Sequence, residues 1–215
     1  MLSLPLPELL LMIAVAVISL TVHEYAHSLT AIALGDDTPR RTGRLTLNPL
    51  AHIDLVGFLM LVVAGFGWAK PVMIDSRNFK RPKRDEILVS MAGPASNLLL
   101  AVLSVLVLKL CVLFGFPKSL VMMDKVVEAV SLTAWLNVAL AIFNLLPIPP
   151  LDGSHFITVF VAWKNQALAA TILRVGSIAL LVVLAFQWVT RIEILPIGRL
   201  SQAVLQFMFA FFGVT

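Results

Sequence analysis

Long runs of apolar residues constrain this chain more than any other feature. They cover about residues 6–34, 87–114, 126–146, 168–190 and 194–213. A helix needs roughly 20 apolar residues to cross the hydrocarbon core of a bilayer. No water is available there, so backbone amides must be satisfied within the segment and helices are expected. Composition agrees: 60% of the 215 residues are hydrophobic and 13% are charged, against about a quarter charged in a soluble domain. The mean hydropathy is +0.97. The expected fold is therefore an all-α membrane protein, a polytopic bundle of about five to six transmembrane helices with its flanks in the lipid bilayer. A single domain over 1–215 is expected, with a core at about 6–163 and C-terminal helices at about 168–213.

The breaks between runs carry stop signals. Gly35-Asp36-Asp37 ends the first, Gly115-Phe116-Pro117 follows the 87–114 run, and Pro147-Ile148-Pro149-Pro150 follows the 126–146 run. A shorter helix is expected from Gly153 to Trp163. The run 53–67 is short for a crossing and reads as re-entrant. A small β-hairpin is expected around Trp68-Ala69-Lys70-Pro71-Val72. The first run lacks a cationic leader and a small-residue cleavage site, so it reads as a retained span rather than a signal peptide.

The net charge is +4 and the isoelectric point about 9.6. The basic residues lie in loops between apolar runs, which points to topology and away from nucleic acid. Nine of the 16 Lys and Arg residues fall in 35–86: Arg40, Arg41, Arg44, Lys70, Arg77, Lys80, Arg81, Lys83 and Arg84. Lys and Arg mark cytoplasmic loops. The first helix is therefore expected to run from outside to inside in a cell (inner) membrane, with its C-terminal end at the cytoplasm.

His23-Glu24-Tyr25-Ala26-His27 lies near the inner end of that first run. Residues four apart share a helix face, so His23 and His27 can grip one Zn²⁺ while Glu24 reaches a water beside it. Each part is needed: zinc acidifies the water, and the carboxylate takes its proton as it attacks a carbonyl. Ionisable groups in a membrane helix are costly, so their presence marks function. A catalytic zinc takes a third protein ligand and keeps an open position. The candidates are Asp152, set after the prolines and before Gly153, and the rival histidines His155 and His52. Cys111 is the only cysteine, so no internal disulfide or Cys-rich zinc site is available, and it reads as a packing residue.

These residues resemble the site-2 proteases, the intramembrane zinc metalloproteases. The resemblance rests on His23 to His27, on Gly93-Pro94-Ala95-Ser96-Asn97, and on Asn144-Leu145-Leu146-Pro147-Ile148-Pro149-Pro150-Leu151-Asp152-Gly153. Leu47 to Asp54 and Gly67 to Val72 are similar to bacterial members too. The likeness covers about residues 15–160. It implies that His23, His27 and Asp152 hold one zinc per chain and that Glu24 is the general base and acid. It makes Asn97 and Asn144 candidates for holding substrate or stabilising the oxyanion. It further implies a membrane-protein substrate, a cytoplasm-facing active site, and a role for 36–86 in presenting an extended substrate. No segment resembles a PDZ or CBS domain. Leu55 and Phe58 stand where a proline and a smaller polar residue are expected.

Two other classes are the alternatives. A metal transporter should spread acidic and histidine residues along several spans to form a path, and the interior acids here are few. An inactive relative that only binds membrane partners has no need of Glu24.

Overall fold

The computed structural model of the protein describes residues 5–114 and 121–214. The expected turn at Gly115-Phe116-Pro117 lies outside these. The helices are α1 (Leu6–Ala33), α2 (Thr38–Arg41), α3 (Leu55–Ala64), α4 (Pro82–Leu113), α5 (Val121–Asn144), α6 (His155–Lys164), α7 (Gln166–Thr190) and α8 (Ile197–Phe212). Four of them, α1, α4, α5 and α7, are long and apolar enough to cross a membrane. The all-α membrane fold is as expected. The span count of five to six is not reached by long helices alone. At about 1.5 Å per residue, the ten residues of α3 rise about 15 Å and the 16 of α8 about 24 Å, both short of a 30 Å core.

The bundle is apolar outside and polar inside. Leu99, Leu103 and Leu110 of α4 and Leu181, Val182 and Val189 of α7 are exposed, whereas Ser19, Asn97, Asn137 and Ser201 are fully or almost fully buried. Lipid tails are as apolar as a leucine side chain, so helices in a bilayer associate through close packing of small residues and hydrogen bonds. The α4–α5 interface shows this: Ala101 and Val105 meet Ala134 and Val138, with Met208 of α8 closing the cluster. Helix α4 packs against both α1 and α5. It is the central element, and it brings the first span close to the loop that follows α5.

Between α1 and α4, residues 34–81 fold into a layer without regular sheet. The expected hairpin is replaced by one isolated antiparallel bridge, Ile53 to Ala69, flanked by Lys70 N–H donating to the His52 carbonyl at 2.7 Å. The reason is local. Pro71 has no N–H to offer a ladder, and the next amide, Val72, donates to the Glu24 side chain instead. Asp36 knots the layer together. Its carboxylate accepts from Thr38 N, Thr38 Oγ1, Asp75 N and Asn78 Nδ2 at 2.5–3.0 Å. Two glycines permit a close crossing: a Cβ on Gly57 would lie 2.2 Å from the Trp68 carbonyl oxygen, and one on Gly67 would lie 2.1 Å from that of Gly57.

Candidate metal centre

Helix α1 buries one polar face. His23, His27, Ser19 and Glu24 are all buried although their helix is apolar. The imidazoles stand a turn apart, with Nε2 atoms separated by 3.0 Å. Asp152 arrives from a 3-10 turn, Asp152–Ser154, just before α6. Its Oδ2 lies 3.1 Å from His23 Nε2 and its Oδ1 3.4 Å from His27 Nε2. Gly153 sets that turn: a Cβ there would sit 2.3 Å from the Leu145 carbonyl oxygen. The turn can therefore fold beneath the end of α5 only with glycine at this position.

The protonation pattern follows from hydrogen-bond bookkeeping. Asn137 Nδ2 donates to the Thr133 carbonyl at 2.9 Å, which can only accept, and also to Ser19 Oγ at 2.8 Å. Its Oδ1 is thereby left to accept from Asn97 Nδ2 at 2.8 Å. Asn97 Oδ1 must then accept from His23 Nδ1–H, at 2.6 Å. His27 Nδ1–H donates to the Val89 carbonyl at 2.7 Å. With Nδ1 of each ring committed as a donor, the Nε2 atoms are the ones left to act as metal ligands. Asp152 Oδ2 is buried and accepts no hydrogen bond from any described residue.

Three potential ligand atoms thus converge within 4.8 Å of one another. Four tetrahedral ligands at 2.0–2.1 Å from zinc stand about 3.3 Å apart, and the observed separations of 3.0, 3.1 and 3.4 Å match that spacing. Two imidazoles and a carboxylate form a donor set that suits zinc. The residues present fit the group.

The other candidates fall elsewhere. His52 is buried but donates its Nε2–H to the Thr46 carbonyl at 2.8 Å. Neither it nor His155 joins the convergent cluster. Glu24 Oε2 accepts the Val72 amide at 3.2 Å. Asn97 is fully buried, and both ends of its amide are engaged inside the protein, behind His23. Asn144, half-buried at the end of α5, donates to its own helix at the Leu140 carbonyl, 3.0 Å away.

Sequence reasoning missed Asn137 and Ser19. The signal was present, because a polar side chain in the middle of an apolar span is costly unless partnered, and Ser19 lies four residues before His23. It also missed the reason for Gly93. A Cβ at that position would stand 2.4 Å from His23 Cε1 and from His27 Nε2. Glycine lets the α4 backbone back directly onto the imidazole pair.

Comparison with known proteins agrees with this geometry. Residues 113–186, which hold Asn144 and Asp152, match Peptidase family M50. The chain is 42% identical over 153 residues to YwhC of Bacillus subtilis, named as a candidate zinc metalloprotease, covering 71% of this chain and 70% of that protein. It is 36% identical over 149 residues to Rip2 of Mycolicibacterium smegmatis, named likewise, covering 67% of this chain and 54% of Rip2. The match to Rip2 of Mycobacterium tuberculosis is similar, at 36% over 148 residues, 66% of this chain and 54% of that protein. The match thus spans about half the length of the Rip2 proteins. No solved structure matches. A convergent His-His-Asp cluster in an apolar helical bundle, together with these relatives, places the chain in peptidase family M50, the site-2 protease family of metalloproteases.

Proposed function

We propose that the protein is a zinc-dependent intramembrane endopeptidase that cleaves transmembrane or membrane-tethered segments of other proteins. The observation that carries this reading is the convergence of three potential ligand atoms, from His23, His27 and Asp152, with Glu24 next to His23 in the chain. His23, His27 and Asp152 would hold one zinc. When bound, the ion supplies Lewis acidity, lowering the pKa of a water towards about 7 and polarising a carbonyl. Glu24 takes the proton from the attacking water and delivers it to the departing amine. The Val72 amide holds the carboxylate of Glu24 in place. Asn97 keeps His23 in its Nδ1–H tautomer, with Asn137 behind it. Asn144 is the remaining candidate to meet substrate, since among the described residues only its Nδ2 is engaged, within its own helix.

The substrate must reach this centre extended, because carbonyls of an intact helix are hydrogen-bonded and shielded. Helix-stabilising substitutions beside the cleaved bond should slow cleavage. The Lys and Arg content of 35–86 supports a cytoplasm-facing centre, with α1 entering from the outer side. Labelling of single cysteines in the 36–52 loop, in sealed and in inverted vesicles, tests that orientation.

The decisive experiment is Glu24→Gln in proteoliposomes containing a membrane-tethered reporter. Cleavage should fall about 10²–10⁴-fold while zinc content stays at one per chain. Undiminished cleavage would overturn the assignment.

A further inference from the structure

Where α1 ends and α4 begins, the chain forms a cleft of about 410 Å³. Its walls are Ile32 to Gly35 from the end of α1, and Lys80, Arg81, Arg84 and Asp85 from the start of α4. Both helices are long and apolar enough to cross a membrane. The charged residues of 80–85 stand at the point where α4 leaves its apolar run, so the cleft lies where lipid gives way to water. Its volume equals that of more than ten waters, at about 30 Å³ each, which is room for a phosphoglycerol headgroup.

The cleft carries positive charge that nothing around it uses. In the same layer Arg40 pairs with Asp37 at 2.9 Å and Arg77 with Asp75 at 2.7 Å. Asp36 is committed to Thr38, Asp75 and Asn78. Lys83 Nζ lies over the Trp163 ring of α6, 4.4 Å from its centre. Lys80 and Arg81, by contrast, pair with no acid among the described residues, and Arg84 Nε comes only to 4.0 Å from Asp85. Asp85 itself is buried, and its Oδ2 accepts the Arg81 N–H at 2.9 Å. The cations are not needed to cap α1 either, since the amides of Gly35 and Asp36 already donate to the Ile32 and Ala31 carbonyls at 3.0 and 2.9 Å. Three cations against one acid leave the lining with a charge of +2. The side chains of Lys80, Arg81 and Arg84 are exposed and can close on a ligand. Guanidinium groups match the oxygens of a phosphate in pairs.

The surface beside the cleft favours a lipid over a soluble anion. Leu29 lies four residues before Ala33 on α1, and Leu88 four residues after Arg84 on α4, so each leucine shares a face with a residue of the cleft. Each is one turn deeper in its span, and they are 49% and 39% exposed. We propose that the cleft binds the phosphate headgroup of an anionic phospholipid, with Lys80, Arg81 and Arg84 around the phosphate and an acyl chain along Leu29 and Leu88. Basic pockets between membrane helices recognise such headgroups. A zwitterionic lipid brings its own ammonium, which a cationic lining repels. The bound lipid bridges the ends of the two helices that meet again where His27 donates to the Val89 carbonyl, and so braces that pair. The site does not depend on the protease reading.

The test reconstitutes the full chain in vesicles of equal parts phosphatidylcholine and phosphatidylglycerol, releases it in mild detergent, and counts the lipids it keeps by native mass spectrometry. The parent should retain phosphatidylglycerol over phosphatidylcholine by about tenfold or more. The triple variant Lys80→Gln, Arg81→Gln, Arg84→Gln should lose that preference. The variant Arg40→Gln, Arg41→Gln, Arg77→Gln removes equal charge from the same layer outside the cleft and should keep it. Ala33→Phe leaves every charge in place but fills the cleft, and retention should fall with it. Circular dichroism checks the helices of each variant. If the first triple variant loses its helices, Ala33→Phe and the outer triple variant decide the matter. Unchanged retention in the cleft variants, or equal loss in the outer one, overturns the site. Displacement of the lipid by millimolar inorganic phosphate also overturns it and marks a soluble-anion site instead.

Discussion

Gly93→Ala tests the metal centre from the side that no donor atom occupies. The added methyl would sit 2.4 Å from His27 Nε2 and 2.5 Å from His23 Nε2, whereas ordinary contact begins at 3.4 Å. About 1 Å must be found. If the rings yield, the donor atoms move about five times the ±0.2 Å that zinc coordination tolerates. If α4 retreats instead, the Asn97–His23 bond stretches from 2.6 Å and the Val89–His27 bond from 2.7 Å, to about 3.6 and 3.7 Å, outside hydrogen-bond range. Each such outer partner is worth about 10–100-fold in metal affinity. Losing both should therefore weaken zinc binding about 10²–10⁴-fold, alongside an overpacking cost of about 1–3 kcal/mol. Competition against a chromogenic chelator measures the affinity, and circular dichroism checks that the helices remain. The exposed neighbour Leu98→Ala serves as control. If Gly93→Ala binds zinc within threefold of the parent, the packing argument is wrong.

Other outcomes follow from the same geometry. Asn97→Ala should lower zinc affinity about 10–100-fold, and Asn137→Ala should do so less, both read by the same competition titration. If Asn97→Ala instead leaves affinity intact and reduces only kcat, its place is with substrate. Gly153→Ala should displace the Asp152 turn, because its Cβ would stand 2.3 Å from the Leu145 carbonyl oxygen, and zinc content should fall with it. Burial alone would raise the pKa of Asp36, but hydrogen bonds from Thr38, Asp75 and Asn78 outweigh it and hold the carboxyl below its ordinary value. A lowered folded-state pKa gives stability that is full above the unfolded value of about 3.9 and is lost as pH falls through the folded value. Proteolysis of the 36–78 layer should therefore accelerate below about pH 4, and Asp36→Asn should flatten that dependence. An identical acid profile in Asp36→Asn would remove Asp36 as the cause.

What the sequence made legible was whatever depends on short spacing or on total hydrophobicity. The histidine pair and Glu24 lie within one helical turn, so periodicity alone puts them together, and apolar run length marks the long spans α1, α4, α5 and α7. Asp152 was visible as an acid in proline-broken backbone, but its approach to His23 depends on a turn folded under α5, which no local pattern encodes. Asn97 was visible as a polar residue in a span, and its task was not: the direction of its amide is set by the Thr133 carbonyl, through Asn137. The hairpin expected at 68–72 failed for a related reason. Strand propensity there was real, yet the Val72 amide found a carboxylate from α1 before it found a neighbouring strand.

An ion held by His23, His27 and Asp152 would also be a staple between α1 and the turn ahead of α6. Because the Asp152 turn leads into α6, and α6 is the main contact of α7 while α8 packs on α5 and α4, a bound ion would tie α6 and α7 to the first helix. Stripping the ion with a chelator should therefore do more than stop chemistry. It should release the Asp152 hinge, and amide hydrogen exchange should quicken from residue 145 through α6 while the paired helices α4 and α5 keep their protection.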